Sequence, residues 1–183
     1  MIQLLRNTYD KSTIEEIFNS DFINKCLSES ENYNYMIKPN WQKSLDKDFF
    51  SEPIDGSRGN NNMKKLNKVA ESILSVVEKL VDSRNVVASG NFIYPPTGYM
   101  GWHTNYKSQG KRLYITYASE DKKSFFRYRN SKTGEIITDY DDKGITIRQF
   151  YISKKPPYFW HCVGSDCIRI SLGYRINPPK LDK

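Results

Sequence analysis

Histidine is almost absent from this chain. Of 183 residues only His103 and His161 carry an imidazole, so any chemistry that needs a neutral nitrogen ligand near pH 7 falls to these two. Cysteine is scarce as well. Cys26, Cys162 and Cys167 make an odd count without framework spacing, which excludes a disulfide-stapled secreted scaffold and fits a reducing compartment. Long apolar runs are missing. No stretch approaches the ~18–20 residues that a membrane span needs, and Met1 to Arg6 lacks the apolar centre of a secretory signal. The expectation is a cytoplasmic protein with no membrane partner.

What the chain does have is aromatic weight and positive charge. The aromatic fraction of 14% is high for a disordered chain, so the chain is expected to fold. Its 183 residues suffice for one good core, which predicts a single domain over 1–183. The 28 Lys and Arg outnumber 21 acids, for a net charge of +7. The pairs Lys64-Lys65, Lys122-Lys123 and Lys154-Lys155 are short and dispersed, as solvated surface charge is, but a phosphate-rich partner such as nucleic acid stays open. A zinc reading of His161-Cys162-x4-Cys167 meets a geometric objection. Adjacent residues of a strand face opposite sides, so His161 and Cys162 would not share a metal, and both cysteines read as packing residues.

The first 85 residues read as helical scaffold. Ser12-x-x-Glu15 and Thr13-x-x-Glu16 spell capping boxes ahead of Ile14, Ile17 and Phe18, predicting a short helix from about residue 13. A second is expected over Asp21 to Ser28. From Met63 to Asp82 the apolar residues Leu66, Val69, Ala70, Ile73, Leu74, Val77, Leu80 and Val81 recur every three or four positions. One amphipathic helix about 30 Å long is predicted there. The apolar-free stretch Gly56 to Asn62 reads as a loop, either a plain connector or a lid. After residue 85 the period shortens. Eight strand-like runs follow at 86–94, 99–104, 111–118, 124–129, 135–139, 145–153, 158–163 and 168–176, separated by turn-forming clusters. Helices first and strands after make the class α+β, with the sheet curled or folded into two layers. The remainder, 177–183, reads as a tail.

Both histidines fall on these strands behind a tryptophan, in Gly101-Trp102-His103-Thr104-Asn105 and Phe159-Trp160-His161-Cys162. Arg169-Ile170-Ser171 begins eight residues after the second histidine. On a strand, Arg169 and Ser171 would share a face, and so would His103 and Asn105. The order His-x-Asn, distant His, Arg-x-Ser resembles that of the Fe(II)/2-oxoglutarate-dependent dioxygenases, whose pattern is His-x-Asp/Glu, a distant His and an Arg shortly beyond. The upstream Asn91-Phe92-Ile93-Tyr94-Pro95-Pro96 is similar to the first strand of that family, which often carries an Asn and a Tyr.

The resemblance covers roughly 86–176 and implies a double-stranded β-helix, or jelly-roll, core with the N-terminal helices packed on it. It implies that His103, Asn105 and His161 hold Fe(II), with open positions for 2-oxoglutarate and O2. Arg169 and Ser171, assisted by Tyr94, would bind the far carboxylate of 2-oxoglutarate; Asn91 and Arg175 are further candidates for the co-substrate. The implied activity is hydroxylation of an unidentified substrate. One branch, the AlkB-like nucleic-acid demethylases, is similar in more detail: its Asn-x-Tyr strand, Gly-Trp-His stretch and Arg-x-Asn-x-x-x-Arg strand correspond here to Asn91 and Tyr94, to Gly101 to His103, and to Arg169 to Arg175. The Asn-to-Tyr spacing is one residue longer here, Ser171 replaces Asn, and the interval from His161 to Arg169 is shorter.

Asn105 departs from the whole family. An amide oxygen can coordinate a divalent metal but lacks the negative charge that retains it. Asn is as large as Asp, which disfavours a halogenating site with room for chloride. A competent site, a slow enzyme and a retired site all remain open. The rival from another class is a non-catalytic nucleic-acid-binding module that uses the basic surface and exposed aromatics such as Trp41 and Tyr99. Neither the primary substrate nor the oligomeric state is legible.

Overall fold

The computed structural model describes residues 4–29, 38–45, 50, 52–55 and 59–178. Two short helices open it, α1 (Ser12–Ile17) and α2 (Ser20–Ser28). The capping boxes at Ser12 and Thr13 are not used. Lys11 is the N-cap of α1 and makes no side-chain cap, because Ser12 Oγ donates instead to Asp10. At α2 the Asn19 side chain accepts the Phe22 N–H at 3.0 Å and fixes the start.

The single long helix expected over 63–82 is two. Lys64–Lys65 form a strand, β3, and helix α3 (Asn67–Ser72) is followed by α4 (Leu74–Val81). Ile73 breaks the run with φ −111° and ψ 14°. The apolar period survives the break because both segments bury one stripe, Val69, Ala70, Ile73 and Val77. Periodicity alone therefore did not show the kink. Asp82 closes α4 in the left-handed conformation.

The predicted strand runs from 86 onward are present with shifts at their ends. They are β4 (Val86–Ala88), β5 (Phe92–Tyr94), β6 (Gly98–His103), β7 (Gly110–Ala118), β8 (Ser124–Arg129), β9 (Ile136–Tyr140), β10 (Gly144–Ile152), β11 (His161–Ser165) and β12 (Arg169–Ile176). The 86–94 run is divided by Ser89-Gly90-Asn91, where Gly90 has φ +87°. Two-residue strands add to the edges: β1 (Leu5–Arg6) and β2 (Asn60–Asn61). The latter lies within the expected 56–62 loop, whose residues 56–58 are outside the described set; so are tail residues 179–183. No helix of the described residues is long and apolar enough to cross a membrane.

Two antiparallel sheets result. One runs β1-β10-β7-β12-β5-β3, with β4 also on β12, and the other β2-β6-β11-β8-β9. From β5 to β8 successive strands alternate between the sheets, and they do so again from β9 to β12. That winding is a jelly roll in an α+β chain.

Strand parity sorts the side chains into three packed groups. Outside the first sheet, Ile93, Leu113, Ile115, Ile170, Leu172 and Tyr174 share a cluster with Ile14 and Phe18 of the N-terminal region and with the α3–α4 stripe. Burial of each such side chain contributes about 1.5–3 kcal/mol. Between the sheets lie Tyr94, Tyr114, Phe126, Phe150, Phe159 and Val163. Behind the second sheet, Trp41, Tyr99, Trp102, Phe125, Trp160 and Cys162 form the third. Trp41 stacks on Tyr99 at 5.9 Å, and both are buried. The exposed aromatics expected of a nucleic-acid-binding module at these two positions are core residues instead. All three cysteines are buried, and none is in a disulfide.

Candidate metal centre

Strands β6 and β11 are neighbours, and their register sets His161 opposite His103. The two rings come together inside the barrel with centroids 4.1 Å apart. Each is oriented by the main chain two residues before it. His103 Nδ1 donates to the Gly101 carbonyl at 2.7 Å, and His161 Nδ1 to the Phe159 carbonyl at 3.0 Å. Both Nε2 atoms are thereby left as lone-pair donors. His161 Nε2 is buried and has no partner within the protein.

The surroundings keep both rings neutral. Burial lowers the His103 pKa to about 4, and the nearby Arg112 charge acts in the same direction. Burial also holds His161 well below its ordinary value, reinforced by His103. Phe126, Phe150 and Phe159 pack around the His161 ring, which excludes water from that side. Neutral imidazoles with fixed tautomers are the form in which histidine binds a metal.

Asn105 reaches the same cavity by a route that strand parity does not describe. β6 stops at His103, and Asn105 lies beyond it in the left-handed conformation, φ 54°, which Asn tolerates better than most residues. Its N–H bonds the Ile54 carbonyl and its carbonyl accepts the Ser108 N–H. Asn105 joins His103 and His161 in lining a cavity of about 230 Å³.

The remaining candidates divide. Tyr94 and Ser171 line the cavity. Arg169 is buried next to it, with its guanidinium 5.4 Å from the Tyr94 ring centre. Its Nε donates to Asp141 at 2.9 Å and its Nη2 to Thr116 at 3.4 Å, while Nη1 has no partner. Burial raises the Tyr94 pKa and keeps the phenol protonated. Arg175 is half-buried on β12, opposite Arg112 of β7, and does not line the cavity. Asn91 is engaged elsewhere: its side-chain oxygen accepts the Gly173 N–H at 2.8 Å. Ser89 N donates to the Gly173 carbonyl, so Asn91 helps bridge the interruption between β4 and β5 and is not among the cavity residues.

Three residues at or beside the site escaped sequence reasoning: Arg112 and Tyr114, which line the cavity, and Asp141, buried against Arg169. Period-two alternation along β7 puts Arg112, Tyr114 and Thr116 on one face, a signal that Lys111 before Arg112 and Tyr117 after Thr116 obscure. Asp141 sits among Asp139, Asp142 and Lys143 in what reads as a polar turn.

The donor set fits a divalent metal through its two aligned imidazoles, one of them carrying a buried nitrogen without a partner. The third side chain available is a neutral amide. Among the described residues no three His, Cys, Asp or Glu side chains form a group that could hold a metal ion.

No family model and no curated protein matches this chain. Solved structures do. A prolyl hydroxylase from Trichoplax adhaerens, in complex with a hypoxia inducible factor oxygen degradation domain peptide fragment, aligns over 96% of this chain and 82% of its own, with TM-score 0.52 and 11% identity. A prolyl-4-hydroxylase from Pseudomonas putida aligns over 96% and 92%, with TM-score 0.50 and 12% identity. The fold is similar to that of prolyl hydroxylases. At such identities the likeness is one of fold, and the chemistry rests on this chain's own residues.

Proposed function

We propose that this chain is an Fe(II)- and 2-oxoglutarate-dependent oxygenase that hydroxylates a C–H bond of its substrate, folding as one domain. The observation that carries the reading is the histidine pair. Two buried neutral imidazoles meet across adjacent strands with their planes tilted by 53°, each Nδ1 tied to a main-chain carbonyl, and one Nε2 has no protein partner. When bound, ferrous iron and 2-oxoglutarate supply O2 activation: the keto acid, O2 and R–H become succinate, CO2 and R–OH.

His103 and His161 present their Nε2 lone pairs to the metal, and the Asn105 amide oxygen is the third donor. Arg169 offers Nη1 to the far carboxylate of the keto acid, while Asp141 and Thr116 hold the rest of its guanidinium in place. Ser171 and Tyr94 line the cavity beside it, and their hydroxyls add neutral donors. The aromatic packing around His161 keeps bulk water from the reacting atoms.

Nucleic acid as substrate or partner gains no support from the fold, since Trp41 and Tyr99 are core residues. The reading is tested by anaerobic titration of Fe(II), then 2-oxoglutarate, followed by succinate assay in air. Wild type is expected to bind both and form succinate, and His161→Ala to lose metal binding. Equal metal affinity in wild type and His161→Ala would sink the reading.

A further inference from the structure

Arg112 is the one formal cation on the cavity wall, and no acid among the described residues forms an ion pair with it. The side chain is 2% exposed and projects from β7 toward the histidine pair. Nη1 donates to Ser89 Oγ at 3.0 Å and Nη2 to the Ser108 carbonyl at 2.5 Å. Both acceptors are neutral. Nε is buried without a partner. A buried guanidinium normally has a carboxylate partner, yet among the described residues no acid lies within ion-pair distance of Arg112.

Arg169 differs in that Asp141 already balances it. The cavity wall also contains no Asp or Glu, and Asn105 stands where a carboxylate would have lowered the local charge. Arg175, opposite Arg112 across β7 and β12, also has a buried Nε without a partner. Two positive groups therefore adjoin beside the metal centre, and the acid whose charge reaches Arg112 and His103, Asp55, makes no ion pair with either.

We propose that Arg112 forms a second anion seat in this cavity, which takes the carboxylate of a small acidic primary substrate and sets it beside the histidine pair. The inference rests on the oxygenase reading, in which Arg169 holds the keto acid. A single carboxylate suits the donors. Arg112 Nε–H offers an unused charged donor to one carboxylate oxygen, and the Ser89 hydroxyl, whose oxygen already accepts from Nη1, has a proton of its own to give. The cavity of about 230 Å³ favours a small acid over a bulky group. Arg112 also contributes to the lowered pKa of both His103 and His161, which places its charge within reach of the same atoms.

The test uses Zn(II)-loaded full-length protein saturated with 2-oxoglutarate, observed by NMR of isotope-labelled arginine side chains. The probes are acetate, butyrate and benzoate, each against its neutral amide, and inorganic phosphate. The carboxylates are expected to shift the Arg112 Nε–H resonance, the amides to leave it unmoved, and Ser89→Ala to weaken the carboxylate response. In a separate titration, Arg169→Gln should weaken 2-oxoglutarate binding by about tenfold or more, while Arg112→Gln leaves it unchanged and abolishes carboxylate binding. Arg112→Lys, which keeps the charge, covers the case in which the glutamine variant does not fold: it should retain the response in weakened form. Carboxylates that leave Arg112 unmoved, or a response to phosphate alone, would overturn the second seat. So would loss of 2-oxoglutarate binding in Arg112→Gln with none in Arg169→Gln, which would make Arg112 the keto-acid anchor. Failure of the oxygenase reading looks different: the wild type then binds neither metal nor 2-oxoglutarate.

Discussion

Asn105 concentrates the chemical question in one atom. An Asp side chain has nearly the same shape but adds a full negative charge next to a dication, and at a few ångströms in a partly dry site that attraction amounts to several kcal/mol before desolvation is subtracted. Asn105→Asp is therefore expected to tighten Mn(II) binding by at least about tenfold, and Asn105→Ala to loosen it, as measured by competition with a chelator. Equal affinities in all three proteins would remove Asn105 from the ligand set. Its position was only half legible in sequence. His-x-Asn spacing pointed to a shared face, but the left-handed turn that brings residue 105 to the cavity depends on the Ile54 carbonyl accepting the Asn105 N–H, a contact between residues 51 apart in sequence. Arg112 was hidden for a related reason. A strand arginine reads as solvated until the partner sheet shows that its face is the inner one.

Elements were read best where local pattern and tertiary burial agree. Strands β6 to β12 each alternate or run apolar between turn residues, so their existence followed from the chain alone. The kink at Ile73 and the two-residue strands β2 and β3 did not, because each owes its shape to a neighbour and not to its own propensity. The join between β4 and β5 is such a case. Gly173 N–H and carbonyl are satisfied by the Asn91 side chain and Ser89 N, so a side chain replaces one rung of the ladder. Replacing Asn91 by Leu would leave the buried Gly173 N–H bare, which costs about 1–3 kcal/mol. The expected result is a lower urea midpoint with an unchanged slope, and unchanged 2-oxoglutarate affinity in the folded variant. A selective loss of 2-oxoglutarate affinity at constant stability would return Asn91 to the co-substrate site.

At the scale of the whole molecule, the two sheets are tied by a chain of ion pairs. Arg6 bonds Asp139 at 2.6 Å, Arg148 bonds both Asp139 and Asp141, and Asp141 bonds Arg169 at 2.9 Å and accepts from Ser124. The arginines belong to the first sheet and Asp139 and Ser124 to the second. Burial alone would raise the Asp141 pKa, but the Arg169 and Arg148 charges outweigh it and hold the carboxyl well below its ordinary range. A folded-state pKa below the unfolded value means that the unfolded chain takes up the proton first. The stabilisation is thus fully present above the unfolded carboxyl value of about 3.9 and is lost as pH falls below it.

The buried His103, lowered to about 4, adds an earlier loss between its ordinary value near 6.5 and that point, common to wild type and to any variant at 141. Asp141→Asn leaves two buried guanidinium groups without their shared anion and is expected to cost about 3–5 kcal/mol at neutral pH. The difference in unfolding free energy between wild type and Asp141→Asn, measured in urea on metal-free protein, should stay constant down to about pH 4 and narrow below it. A difference that stays constant to pH 2, or that narrows already near pH 6, would show that Asp141 is not the ionised hub joining the sheets.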